Sequence, residues 1–575
     1  MIQTFNQLKK NLKKDLSLLP VIKIALLGDT ATQFLSTALK GVGVEKGFNF
    51  DLFEADYNQV ERQFLDTTSE LFQFDPEYII VFQSTHKLLS KFNTTSIEKQ
   101  ISVFNDRIAF IKTICSTTST RIIYFNYPEI DDQVFGSYAN KVENSFIYQI
   151  RRLNLELMNL SQQFPNLFIC DISSIQNKLG RDFMFDSSVY VSTEMVLSID
   201  TIPYIAYRTI DIISAAQGYF KKCLILDLDN TLWGGIIGDD GIENIQLGHE
   251  LGIGKAFSEF QQWILKLKNR GIILAICSKN NESIAKEPFE KHPEMVLHLD
   301  DIAVFVANWE NKADNIRKIQ SILNIGFDSM VFIDDNPFER NLVRENIPNI
   351  TVPELPEDPG EYLEYLYSLN LFETISYSNA DLERTKQYQV ESQRAALQFS
   401  FTNEKDFLKS LAMVSEVAPL NPFNIPRVAQ LSQRSNQFNL RTVRYTEAEI
   451  EALAQNDQFQ NITFTLSDKF GEHGLICVII LEKQNSDTLF INTWFMSCRV
   501  LKRGMENFTL NTIVNYAKKN GFKKILGEYI PTSKNGMVEN HYIQLGFSPV
   551  ENINHHLFEL DVEHYMDKET YITIK

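Results

Sequence analysis

At 575 residues with 44% apolar side chains, the chain exceeds one hydrophobic core and is expected to divide into about three domains. A net charge of −18 argues against general nucleic-acid binding, and no apolar run approaches the ~20 residues that span a bilayer. Six scattered cysteines with no CxxC pair, and lysines interleaved with leucines over residues 1–19, predict a cytoplasmic protein with reduced thiols that starts in an amphipathic helix.

Residues 1–215 alternate strand-like and helix-like patterns. Strands are expected at 21–27, 48–54, 78–82, 121–125 and 167–171, with helices such as 100–115 and 146–163 between them, which is the pattern of a doubly wound parallel sheet of flavodoxin type. The first strand ends in Gly28-Asp29-Thr30, a turn that resembles the nucleophile turn of SGNH hydrolases with threonine in place of serine. The late Asp-x-x-His of that family has no counterpart around Asp182 and Asp186, and a hydroxyl without a base is a poor nucleophile. The resemblance therefore implies an SGNH-like domain that is not catalytic.

Residues 216–375 carry the chemistry. The buried run Cys223 to Leu226 ends in Asp227 and Asp229, two residues apart and so pointing the same way at the exit of a parallel strand, where ligands bind in open α/β sheets. Two carboxylates that close need a bridging cation or a shared proton, which indicates a Mg²⁺ site, a nucleophile with a general acid, or both. Thr231 and a glycine-rich loop (Gly234, Gly235, Gly238, Gly241) follow. A second buried strand at 272–277 then ends in Ser278-Lys279-Asn280, Lys312 opens a helix, and a third strand at 330–333 ends in Asp334-Asp335. Carboxylates, hydroxyls and a lysine at three strand exits make a phosphoryl-transfer kit.

Asp227-Leu-Asp229-Asn-Thr231, Ser278, Lys312 and Asp334-Asp335 resemble motifs I to IV of the haloacid dehalogenase (HAD) superfamily in order and spacing. The resemblance implies Asp227 as nucleophile, Asp229 as general acid/base, Thr231, Ser278 and Lys312 as phosphate ligands, and Mg²⁺ on Asp227, the Asp229 carbonyl and one of Asp334 and Asp335. Fifty residues separate Asp227 from Ser278 and thirty-three separate Ser278 from Lys312, too few for a cap domain. An uncapped site admits a large or tethered substrate. The stretches TLWGGIIGDDG, ICSKNN and VFIDDNPFER narrow the resemblance to the FkbH-like branch, the HAD-IIIC group. Membership there implies the loading of a glycerate-derived three-carbon unit from an acyl phosphate, 1,3-bisphosphoglycerate, onto an acyl carrier protein.

Residues 376–422 read as a linker, with a polar helix at 379–397 and a proline junction. Residues 427–445 then hold Arg427, Arg434, Arg441 and Arg444 with five amides and no acid, a local reversal of sign suited to an acidic carrier and its phosphopantetheine; the tract matches the family's RxxQLxxRxNQFNL. Residues 423–575 resemble the GNAT acyltransferase fold, with a hairpin (474–482 and 489–497), a helix at 505–519 and a strand at 524–529. Arg499, Lys502, Arg503 and Gly504 stand where that fold's R/Q-x-x-G-x-G/A loop meets a pantetheine phosphate at a helix N-terminus, with Lys502 replacing the first glycine. Arg434, Asn436, Arg499, Arg503 and Gly504 are thus candidates for binding the acyl-pantetheine arm. Cys498, beside three cations and a helix N-terminus, is a candidate thiolate, and His473 a candidate base near it.

The chain is accordingly expected to be a Mg²⁺-dependent HAD enzyme that dephosphorylates a three-carbon acyl phosphate and loads a carrier, with no nucleic-acid or membrane partner. The alternatives are a HAD phosphatase of a small phosphoester with non-catalytic flanking domains, and a docking scaffold.

Overall fold

The computed structural model describes residues 2–378, 381–398, 401–532, 534–550 and 556–575, and these form two compact units, Met1–Ala216 and Gln217–Lys575. Both are mixed α/β with parallel strands.

In the first unit, β1 (Val21–Gly28), β2 (Asn49–Glu54), β3 (Tyr78–Phe82), β4 (Arg121–Phe125) and β5 (Leu167–Cys170) are all parallel, in the order β2-β1-β3-β4-β5. That is the strand order of flavodoxin-type sheets. β3 is buried at every position, as a central parallel strand covered on both faces must be. The helices Gln100–Thr117 and Phe146–Gln163 pack Phe104, Ile111, Phe146 and Leu153 onto the sheet, and Ser145 caps the second by accepting from the Tyr148 amide at 3.3 Å. The opening amphipathic helix is short, Phe5–Asn11, started by a reciprocal Thr4 and Gln7 cap.

The second unit holds two sheets. β6 (Cys223–Leu226), β7 (Ile273–Ser278), β8 (Ile302–Ala307) and β9 (Met330–Ile333) form a parallel sheet in the order β8-β7-β6-β9. β8 is an addition to the three strands expected there: its six residues are too short a run for periodicity to separate strand from buried helix, and pairing with β7 decides it. The larger sheet comprises β10 (Met413–Ser415), β11 (Val417–Ala418), β12 (Phe459–Asp468), β13 (Gly471–Lys483), β14 (Thr488–Met496), β15 (Lys524–Glu528), β16 (Ser548–Pro549), β17 (Leu557–Asp561) and β18 (Ile572–Ile574). It is antiparallel except for β14 with β15 and β10 with β18. β14 and β15 pair only over four residues; beyond them residues 438–440 lie against β14, where the Leu440 amide donates to the Trp494 carbonyl at 3.2 Å and the Met496 amide to that of Phe438 at 3.0 Å.

The stretch read as a linker is packed structure. The helix Arg384–Gln398 buries Tyr388 in one core with Cys223, Ala275 and Val304, and β10 and β11 pair with β12. Residues 379 and 380, the start of the expected polar helix, lie outside the described residues. One turn further, Glu391 and Arg394 enter a buried charge network with Asp468, His473 and Arg503 that ties this helix to the larger sheet. Among the described residues, no helix is long and apolar enough to cross a membrane.

Candidate active site

Parallel strands end on one side, so β6, β7 and β9 deliver Asp227, Ser278 and Asp334 to one edge of the sheet. The Asp227 amide donates to the Ile333 carbonyl at 3.0 Å, which fixes the two strand exits side by side. Lys312 opens the helix Lys312–Leu323, whose Asn311 cap accepts from the Ala313 amide at 2.7 Å. Its side chain is 3% exposed, and its ammonium meets Asp227 Oδ2 at 2.8 Å and Asp334 Oδ2 at 2.5 Å. Burial opposes that charge, yet the two carboxylates outweigh it and hold Lys312 above the ordinary lysine range. Asp334 is fully buried; burial, reinforced by the charge of Asp227, pushes its carboxyl up to about 7. Asp335 is raised for the same two reasons and exchanges hydrogen bonds with Thr231, whose hydroxyl accepts from the Asp335 amide at 3.1 Å. Arg340 holds the turn by donating to the Asp334 and Asp335 carbonyls at 2.9 and 2.6 Å.

Asp227, Asp334 and Asp335 each offer an oxygen within 4.8 Å of the others. Three carboxylates against the single charge of Lys312 leave an excess of two negative charges, and Asp227 Oδ1 is buried with no hydrogen-bond partner. A hard divalent cation with oxygen ligands fits both observations. Asp229 stands apart: its carboxylate accepts from Trp233 Nε1 and the Ile237 amide, each at 3.0 Å, and from Asn280 Nδ2 at 3.3 Å. Its side chain is therefore outside the carboxylate cluster, and burial raises its pKa. The glycine-rich loop is what fastens it. Gly234 pairs with Gln246 through two backbone hydrogen bonds, and Gly235 has φ +93°, where a β-carbon would lie 2.7 Å from Asp240 Oδ2. Ser278 and Thr231 are buried at the same edge. Three large apolar side chains near these loops are exposed: Ile236, Trp309 at 71% and Phe338 at 68%.

The other sequence candidates are not at this edge. Lys222, just before β6, shares one cavity of about 420 Å³ with Tyr219, Asp328, Arg434, Ser435, Asn436, Phe438 and Cys498. Lys222 and Asp227 bracket a four-residue strand, so this cavity is at the opposite end of the sheet, ~16 Å from Asp227 at 3.3 Å per residue. The arginine tract does not face Asp227. Arg434 is paired with Asp381, and Asn436 donates to the Gly218 carbonyl at 2.7 Å. Arg499 lines a small chamber with Cys498, whereas Arg503 is bound to Glu391 and lies 3.0 Å from His473 Nε2. His473 is buried, also meets Asp468 at 3.2 Å, and is held below the ordinary histidine range by burial, so it belongs to that network and not to Cys498. Lys502 and Gly504 line a separate cavity of about 570 Å³. Lys502 nevertheless adopts φ +63°, the left-handed conformation that a glycine there takes without strain. The cations facing Cys498 come from distant segments, Lys222, Arg384, Arg427 and Arg434, together with Arg499; no local sequence signal assembles them.

In the first unit, Asp29 is buried, accepts from the Ser84 amide at 2.8 Å and is pushed up to about 6 by burial. His86, from a different segment, packs its ring edge-on against Phe185 at 4.8 Å.

The family model of the FkbH N-terminal domain matches residues 23–214. Among solved structures, the N-terminal part of the protein BF1531 from Bacteroides fragilis, containing a phosphatase domain complexed with Mg, is 66% identical over 65% of this chain and 100% of that one, with a TM-score of 0.64. The chain belongs to the FkbH-like family of the haloacid dehalogenase superfamily. Shorter likenesses reach the ribosomal-protein-S18-alanine N-acetyltransferase of Escherichia coli (15% identity, 26% of this chain, 94% of that one, TM-score 0.20) and the spermidine N-acetyltransferase of Vibrio cholerae (14%, 26%, 96%, 0.21). No curated protein matches this FkbH-like chain.

Proposed function

We propose that this FkbH-like chain is a Mg²⁺-dependent phosphatase and phosphotransferase whose centre is the edge formed by Asp227, Thr231, Ser278, Lys312, Asp334 and Asp335. The carboxylate cluster around Lys312 carries the reading, because its two uncompensated charges and the unpartnered Asp227 oxygen suit a cation and a phosphoryl group together. Asp227, Asp334 and Asp335 would hold the Mg²⁺, with the Asp229 carbonyl as a further oxygen. The ion, when bound, neutralises the crowded carboxylates and the phosphate oxygens. Asp227 attacks phosphorus, and the phosphoryl group passes to its carboxylate. Lys312, Thr231 and Ser278 take the remaining phosphate oxygens, the lysine shielding nucleophile from phosphate. Asp229, kept protonatable by burial, gives its proton to the leaving oxygen and then withdraws one from the water that releases phosphate.

The substrate we favour is a three-carbon acyl phosphate such as 1,3-bisphosphoglycerate. Asp227 takes the phosphoryl group of its 3-phosphoester, leaving an alcohol, and at the GNAT-like region 423–575 the thiol of an acyl carrier protein attacks the acyl carbonyl, forming a thioester and releasing the acyl phosphate as inorganic phosphate. Two features support a large partner: the missing cap, and the exposed Ile236, Trp309 and Phe338 on the loops around the site. The placement of Cys498 at the other end of the sheet favours a second reading, a phosphatase whose remaining regions are not catalytic. One experiment separates them. The protein is incubated with Mg²⁺, 1,3-bisphosphoglycerate and a carrier protein, and phosphate release and intact masses are followed. Acylated carrier supports loading; free phosphate with unmodified carrier leaves the plain phosphatase; an Asp227→Asn variant that releases phosphate at the wild-type rate overturns both.

A further inference from the structure

We infer that the chamber around Cys498 is a second anion-binding site, for a phosphate-sized dianion, at the opposite end of the parallel sheet from Asp227. Five cations line a space of about 50 Å³: Lys222, Arg384, Arg427, Arg434 and Arg499. One carboxylate, Asp381, is paired with the chamber's cations, to Arg384 at 3.0 Å and to Arg434; a second, Asp328, reaches Lys222 with its charge from the adjoining cavity but is taken by a further cation, Lys534, at 2.7 Å. The other three cations have neutral partners only among the described residues. Lys222 donates to the Arg434 carbonyl at 2.9 Å, Arg427 to Gln430, and Arg499 to Gln387, Ser497 and the His473 carbonyl. The excess is four positive charges, in a chain whose net charge is −18. An anion stabilises such a cluster, since Arg499 is buried, the other four are half-buried, and each unpaired ion withdrawn from water carries a desolvation penalty of its own.

A second observation is independent of charge. Ser435 is 6% exposed, and its hydroxyl has no hydrogen-bond partner although it lines both this chamber and the adjoining 420 Å³ cavity. A donor left without an acceptor beside five cations is a place prepared for an oxyanion. The volume exceeds the ≈ 30 Å³ share of one water and suits one tetrahedral group. Guanidinium forks bind phosphate oxygens two at a time, so a phosphate or phosphomonoester is the class of ligand these residues select, and the adjoining cavity takes the rest of a small molecule. The site stands whether or not the chain loads a carrier, because no step at Asp227 enters into it.

Cys498 supplies the probe. It lines the chamber, and the other five cysteines are buried, so a small alkylating reagent reports on it selectively. The full-length protein is treated with iodoacetamide in EDTA, which removes the metal from the Asp227 centre, with inorganic phosphate or with sodium chloride at equal ionic strength. Phosphate is expected to slow alkylation saturably, by about tenfold, and chloride to leave it unchanged. In Arg427→Gln or Lys222→Met the phosphate concentration giving half-protection should rise about tenfold, whereas Asp227→Asn should protect like the wild type. The wild-type comparison needs no variant to fold: equal effects of phosphate and chloride overturn the proposal. So does protection that survives in both chamber variants, or that disappears in Asp227→Asn, which would put the anion at the other end of the sheet.

Discussion

Replacing Lys312 by methionine removes the ammonium that lies 2.8 Å from Asp227 and 2.5 Å from Asp334 with 3% of its side chain exposed. Two buried carboxyls then face each other without a cation. Removing one partner of a buried pair costs about 3–5 kcal/mol, because the remaining charge stays in a low dielectric. The pH dependence of the loss has a definite sign. Asp334 is already pushed up to about 7 with Lys312 in place, so below that pH its carboxyl is largely protonated in wild type and variant alike. Losing the ammonium raises it further, and above the wild-type value each pH unit costs the variant up to about 1.4 kcal/mol more than the wild type, so the deficit of K312M grows between pH 6 and 8. Urea unfolding of variant and wild type in EDTA at pH 6 and pH 8 measures the difference, and added Mg²⁺ should recover part of it by replacing the missing positive charge. A loss below about 1 kcal/mol at pH 8, or an equal loss at both pH values, refutes the reasoning.

Asp229→Asn should lower phosphate release about 10²- to 10⁴-fold on an alkyl phosphate and far less on p-nitrophenyl phosphate, whose leaving group needs no proton; steady-state rates on the two substrates give the comparison. Asp334→Asn should weaken Mg²⁺ activation, and in wild type the Mg²⁺ requirement should rise as pH falls below about 7, where protons compete for the same carboxyl; titrations at pH 6 and 8 test this. Glu391→Gln removes the acid bound by Arg394 and Arg503, so it should destabilise the second unit by about 3 kcal/mol in thermal melts while leaving the rate of phosphate release unchanged at temperatures where the protein is folded. Cys498→Ala should leave phosphate release unchanged, since Cys498 lies at the other end of the sheet; a phosphate assay in which it loses activity contradicts that separation.

The polar edge around Asp227 was legible in the linear chain because each part of it is a local event. A buried run that stops at Asp227, another that stops at Ser278 and a third that stops at Asp334 needed only the rule that parallel strands end together for their polar residues to meet. The five strands of the first unit were legible for the same reason, being short continuous apolar runs with helical stretches between them. β8 was not, because an edge strand of six residues declares itself only by its partner.

What surrounds Cys498 depended wholly on the tertiary structure. Its sequence neighbours Lys502 and Arg503 turn elsewhere, one to a separate cavity and the other to Glu391, while Lys222, Arg384 and Arg427 arrive from segments up to 276 residues away. Charges adjacent in the chain diverge where the backbone turns through Lys502 at φ +63° and Gly504 at φ +77°. The chain by itself determined which polar residues meet at the Asp227 edge and the α/β pattern that presents them. Only packing decided that the arginine tract closes the other end of that sheet, because side-chain direction along a turn is set by backbone dihedrals and by burial against a partner, neither of which residue order specifies.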